Sequence, residues 1–293
     1  DLTPTAEGAG EIPVLFTSDF QWGEVIRKEA VGVCGLVTPW NWPALQIATK
    51  VVPALAAGCA MVLKPSELAP LPGIIFAEIL DEAGVPAGVF NLVNGEGATV
   101  GEAMSRHPDI DMMSFTGSTR AGVLVAKAAA DTVKRVHQEL GGKSANLIFP
   151  DANLDNAVRA AASGIFFNTG QVCSAGSRIL AHRDVYDEVV ERLAARAKAI
   201  KVGDPAARET SMGPLISAAQ MKTVLGYVEA GRAEGASLVT GGARVGERGF
   251  FVEPTVFANV EHEMRISQEE IFGPVASVIR FNDEADALRI ANG

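Results

Sequence analysis

Positive charge is scarce in this chain: 25 Lys and Arg residues stand against 35 Asp and Glu, a net charge of -10 and a pI near 5.0. A balance of that sign excludes nucleic acid and anionic membrane surfaces as partners. Long apolar runs are missing too, and none reaches the length that spans a bilayer. The 3 cysteines cannot all pair, so no disulfide framework is built and a reducing cytoplasm is the expected setting. Histidine is equally sparse. His107, His137, His182 and His262 lie apart in polar contexts, without metal-ligand spacing, so no metal site is expected and all four are assigned to the surface. A Cys–His hydrolase loses its main support for the same reason, leaving only a pairing in space. Repeats and low-complexity tracts are absent. The opening Asp1-Leu2-Thr3-Pro4 has no initiator Met, basic region or apolar region, so no signal peptide is expected. Residues ahead of Asp1 are expected to be missing.

What is present is the material of a globular protein, with 48% hydrophobic and 20% charged residues in a chain of 293, enough for one large or two ordinary domains. Short β-rich runs alternate with Ala-rich helical stretches, the pattern of parallel βαβ units. Strands are expected at 31–38, 60–64, 90–93 and 111–115, with helices at 44–58, 71–83, 99–106 and from Thr116-Gly117-Ser118-Thr119 to about residue 130. After Gly141-Gly142 a second cycle begins. Strands are expected at 144–149, 177–181 and 277–281, and helices at 151–167, 186–198 and 217–234, with a helical start before Gly293. Two α/β domains are expected to meet near residues 140–143, and a cleft between domains is a usual place for a site.

Cys34 and Cys59 lie in apolar runs and read as core thiols. Cys173 has small and polar neighbours, in Gly170-Gln171-Val172-Cys173-Ser174-Ala175-Gly176, and is the candidate nucleophile. Phe115-Thr116-Gly117-Ser118 opens a helix, where free N–H groups can hold phosphate; the same residues also make an ordinary cap. Gly95-x-Gly97-x-x-x-Gly101 approaches a dinucleotide fingerprint but has the wrong final spacing. Lys64 and Glu67 follow a buried strand, at the sheet edge where open α/β folds bind ligands. A carboxylate there accepts bonds from ribose hydroxyls, or simply caps a helix. Asn41 in Trp40-Asn41-Trp42 offers an amide for an oxyanion or for local backbone. Glu139 stands beside Gly141-Gly142, either as a base or as a solvated surface carboxylate.

TPWNWP (38–43), LKPSE (63–67), FTGST (115–119), ELGGKSAN (139–146), GQVCSAGSR (170–178) and EEIFGPV (269–275) together resemble the aldehyde dehydrogenase superfamily, in its order and spacing. The resemblance covers the chain from about Val31 to Gly293. It implies a truncated fold of two Rossmann-like open twisted sheets: part of an oligomerisation hairpin at 12–30, an incomplete cofactor-binding domain at 31–141 and a catalytic domain at 142–293. It further implies that Cys173 attacks an aldehyde, that Asn41 and the Cys173 N–H receive the oxyanion, and that Glu139, with its pKa raised by burial at the cleft, activates water. Lys64 and Glu67 are implied at the adenosine ribose, Ser118 and Gly117 at the pyrophosphate, Glu270 and Phe272 at the nicotinamide ribose, with Trp40 and Gly97 along the cofactor. NAD is the implied cofactor, with NADP admitted by Lys64 and Ser66. The implied partner is a small-molecule aldehyde, and the parent enzyme is expected to be a homodimer or homotetramer. A CoA-acylating semialdehyde dehydrogenase and a catalytically silent fragment are the alternatives.

Overall fold

The apolar runs Val33–Val37 and Ala60–Lys64 lie next to each other as parallel strands in a computed structural model that describes residues 29–293. The hairpin expected at 12–30 falls, but for its last two residues, outside the described residues. Two units divide the chain, Asp1–Leu140 (described from Glu29) and Gly141–Gly293.

In the first unit the elements are β1 (Val33–Val37), α1 (Pro43–Ala56), β2 (Ala60–Lys64), α2 (Leu71–Glu82), β3 (Phe90–Leu92), α3 (Glu102–Arg106), β4 (Met112–Thr116), α4 (Thr119–Ala130) and β5 (Arg135–Glu139). The sheet runs β3-β2-β1-β4-β5 and every pairing is parallel. Sheets of this type need helices on both faces, which is why their inner strands read as continuous apolar runs. One core joins Cys34, Leu36, Met61 and Leu63 to Ile47 and Val51 of α1; the other joins Val37, Met113 and Phe115 to Val125 of α4. Strand order reverses between β1 and β4, so their C-terminal ends flank a switch point where ligands of open α/β sheets bind. Pro43 opens α1 with its fixed φ, and Gly58, at φ 77°, follows its last turn.

The second unit contains β6 (Ala145–Ile148), α5 (Leu154–Phe166), β7 (Arg178–His182), α6 (Tyr186–Ala199), α7 (Ala218–Ala233), β8 (Ser237–Thr240), β9 (Thr255–Ala258), α8 (Arg265–Gln268), β10 (Val275–Phe281) and α9 (Glu284–Asn292). Its sheet runs β6-β7-β10-β9-β8, parallel except that β8 pairs antiparallel to β9. Val158, Ile165, Val189 and Leu193 of α5 and α6 fill one core, and Val224, Val228, Ile266 and Ile290 belong to the other.

Three local expectations are corrected. β5, β8 and β9 form where no strand is expected, the first two at sheet edges and β9 inside its sheet. The helix expected at 99–106 begins with a π turn at Gly97–Gly101. Of the histidines assigned to the surface, His182 has only 13% of its side chain exposed and packs edge-on against Phe281 at 5.4 Å.

Candidate active site

At the switch point of the first unit, the side chains after β1, β2 and β4 converge on one sheet edge. Lys64 ends β2, is 2% exposed, and its ammonium pairs with the Glu67 carboxylate at 2.9 Å, half of which stays exposed. Burial, the largest influence, works against ionisation of Glu67, but the Lys64 hydrogen bond, a backbone N–H and the Lys64 charge together outweigh it and hold the carboxyl below its ordinary range. The two residues singled out by sequence therefore bind each other, leaving carboxylate surface for hydroxyl donors. Thr38, after β1, and Thr116, ending β4, carry buried hydroxyls without a hydrogen-bond partner. Both fall inside the TPWNWP and FTGST motifs, but the sequence assigned neither hydroxyl a role, because burial without a partner shows only in the fold. Orphaned buried hydroxyls at a switch point are what a polar ligand would satisfy, so this edge fits a nucleotide cofactor.

The FTGS turn has a defined build. Ser118 caps α4, its hydroxyl accepting from the Ala121 N–H at 3.3 Å. A Cβ on Gly117 would fall 2.6 Å from the Phe115 ring, so any other residue there would have to push that ring aside. At Gly97 a Cβ would meet nothing within 4 Å; the structure supplies no packing reason for glycine there. Trp40 is half-buried and Asn41 is 6% exposed, in a turn that Trp42 closes at φ 55°.

Glu139 is the last residue of β5, opposite Thr116 in the register, and its carbonyl accepts from the Gly117 N–H at 3.1 Å. Its side chain is 64% exposed, which corrects the expectation of a buried carboxylate: an edge strand leaves one flank uncovered. His137 Nε2 lies 3.5 Å from the Glu139 carboxylate. Lys50, from α1, is 8% exposed and donates to Ser114 Oγ at 2.8 Å. Burial pushes its amine down to about 8, against the pull of Glu139.

In the second unit, Cys173 is a free, half-buried thiol just beyond a strained turn. Asn168, Thr169 and Gly170 all have left-handed φ, at 48°, 59° and 69°. That conformation is costly for Thr, and the surroundings impose it. Thr169 donates to the Gly213 carbonyl, Gln171 donates to the Asn168 carbonyl, and the Gln171 carbonyl oxygen of the side chain accepts from the Ile216 N–H at 2.9 Å. A Cβ on Gly170 would fall 2.1 Å from the Gly273 carbonyl oxygen. The loop that carries the thiol is therefore held from both sides. Among the described residues no histidine hydrogen-bonds to Cys173, and no group of three His, Cys, Asp or Glu could hold a metal.

Glu270 and Phe272 precede β10. Glu270 is half-buried and lies over Gly141-Gly142, accepting from the Gly142 N–H at 3.3 Å. Burial raises its carboxyl, opposed by that N–H and by Lys143. Lys143 keeps an amine without a hydrogen-bond partner; burial, then the Arg178 charge, push it down to about 7, with Glu270 opposing. The guanidinium of Arg178 is spent on the Lys143, Ile290 and Ala291 carbonyls at 2.7 to 2.9 Å.

Architecture defines the class first: a doubly wound unit with polar groups at its switch point, followed by an α/β unit that presents a free thiol. The chain belongs to the aldehyde dehydrogenase family, whose model matches residues 13–293. It is 53% identical to a 3-succinoylsemialdehyde-pyridine dehydrogenase of a Pseudomonas species, over 91% of this chain and 57% of that protein. Among solved structures it resembles a variant of aldehyde dehydrogenase C from Pseudomonas syringae, complexed with NAD+ and octanal (53% identity, TM-score 0.89, covering 91% of this chain and 56% of that one). It also resembles betaine aldehyde dehydrogenase from Staphylococcus aureus in complex with NAD+ (45% identity, TM-score 0.89, 91% and 54%). The chain thus spans about half the length of the relatives it matches.

Proposed function

We propose that the protein oxidises an aldehyde to a carboxylic acid with NAD, or with NADP, through a thioester on Cys173. The observation that carries this reading is the free thiol on a clamped, strained turn, in a chain of the aldehyde dehydrogenase family. Solved relatives hold NAD+ and, in one case, octanal.

The Cys173 sulfur attacks the carbonyl carbon, and the C=O pair becomes an oxyanion. The Asn41 amide and the Cys173 N–H are its proposed donors; because the charge exists only after attack, they lower the barrier rather than tighten ground-state binding. When bound, the cofactor supplies the hydride acceptor that turns this adduct into a thioester. Glu139 takes a proton from water, whose oxygen attacks the thioester carbon; the acid departs and the thiol is restored. Residues 31–141 serve as the cofactor-binding domain, Lys64 and Glu67 holding the adenosine ribose and Ser118 with Gly117 the pyrophosphate; Trp40 and Gly97 lie along the cofactor. Residues 142–293 serve as the catalytic domain, with Glu270 and Phe272 at the nicotinamide ribose. The Glu67 carboxylate would repel a 2′-phosphate, which favours NAD.

Turnover is read as NADH absorbance with a panel of aldehydes. Cys173→Ala is expected to abolish it while NAD+ binding persists; unchanged turnover would overturn the mechanism.

A further inference from the structure

Four polar side chains of the first unit stand in a row, and only one belongs to the proposed chemistry. Lys50 Nζ lies 2.8 Å from Ser114 Oγ, Ser114 Oγ lies 3.4 Å from His137 Nδ1, and His137 Nε2 lies 3.5 Å from Glu139 Oε1. The backbone makes the row. Ser114 and His137 are register partners on β4 and β5, as are Thr116 and Glu139 two residues on. Alternation along a strand therefore puts all four on one face, and α1 brings Lys50 to that face.

Donor and acceptor capacities give the row a direction. An ammonium has hydrogens and no lone pair, so Ser114 must accept from Lys50. Beside that bond the serine keeps one hydrogen and a second lone pair. His137 Nδ1 therefore either receives the hydrogen as a bare ring nitrogen or donates to the lone pair. The first arrangement is the one that leaves a donor toward Glu139. There the one proton of a neutral imidazole sits on Nε2, the atom that faces Glu139. We infer that Lys50 and Ser114 fix the tautomer of His137, and that His137 is a positioning residue holding the Glu139 carboxylate in one orientation. The inference rests on the reading of Glu139 as the base.

Glu139 needs such a neighbour. It ends an edge strand with most of its side chain exposed, where a carboxylate on a flexible stem adopts many orientations. A base works from the one that reaches its water. A donor two residues back on the same face selects it. The charge at the inner end comes from Lys50, whose amine burial lowers to about 8. β4 contributes the hydroxyls of Ser114 and Thr116, and β5 contributes His137 and Glu139.

The test has two arms. Imidazole 15N NMR of the intact chain reads the tautomer directly, and a protonated Nε2 in the wild type is expected, shifting toward a mixture in Ser114→Ala. A protonated Nδ1 in the wild type overturns the inference, whatever the activity. In turnover, His137→Ala is expected to lower kcat roughly tenfold to a hundredfold, the scale of a misplaced catalytic group. KM should change little, and His137→Gln, which still carries a donor, should recover part of the loss. Equal kcat in His137→Ala and wild type overturns it as well. Glu139→Gln separates the two readings: if it turns over normally, the base assignment fails, while the 15N spectrum still decides whether the row exists. Should Ser114→Ala fail to fold, the wild-type spectrum and the exposed His137 carry the test.

Discussion

Burial sets the charge cost of single residues here, and Lys143 shows the sign. Its amine titrates near 7 in the folded chain, against an ordinary 10.5. Between those values the unfolded chain binds more protons than the folded one, so stability is lost as pH falls from about 10.5 to about 7 and then levels off. Lys143→Met removes that cost. Its melting temperature is expected to exceed that of the wild type by more at pH 6 than at pH 10; thermal melts at the two pH values check it. Gly170 carries the opposite kind of constraint. At φ 69°, with a carbonyl where its Cβ would sit, Gly170→Ala should destabilise the fold by at least about 1–2 kcal/mol, measured by urea denaturation. Cys173 should lose reactivity toward a thiol reagent's selective labelling in the same variant, because the turn that presents it would shift.

Burial on both faces made several elements readable, but not β9, whose four buried residues are too short an apolar run to announce a strand. β1, β2 and the central β10 are covered on both faces, so their apolar runs announce them, and α7 is announced by Ser217, which caps it as a donor-accepting hydroxyl. β5 was not readable: Arg135, Val136, His137, Gln138 and Glu139 alternate between exposed and half-buried, and an edge strand of charged residues has no apolar signature. β8, only Ser237–Thr240, is held by its pairing with β9 and not by its composition. The candidate site divides the same way. Motifs marked Cys173, Glu139 and Lys64, whereas Lys50 matters through Ser114, distant in sequence, and Thr38 and Thr116 through burial that leaves their hydroxyls unpartnered. Tyr186 is another such tie: at the start of α6 its hydroxyl accepts from the Asn259 N–H at 2.6 Å and donates to the Val278 carbonyl at 3.3 Å. Tyr186→Phe strands the Asn259 N–H, while the Val278 carbonyl keeps the Val260 N–H, and should cost about 1–3 kcal/mol, read as a lowered denaturation midpoint.

At the scale of the whole molecule, the described residues of each unit close apolar cores of their own. Leu193→Ala, in the second unit, should cost about 2–5 kcal/mol in the transition of that unit. The division also sorts the chromophores. Trp22, Trp40 and Trp42 all fall in residues 1–140, and Tyr186 and Tyr227 both fall in residues 141–293. Tryptophan emission is therefore a private signal of the first unit, whereas circular dichroism sums over both. Recorded on one sample of Leu193→Ala, the two optical traces should part company, the dichroism moving to lower denaturant while the emission stays where it was.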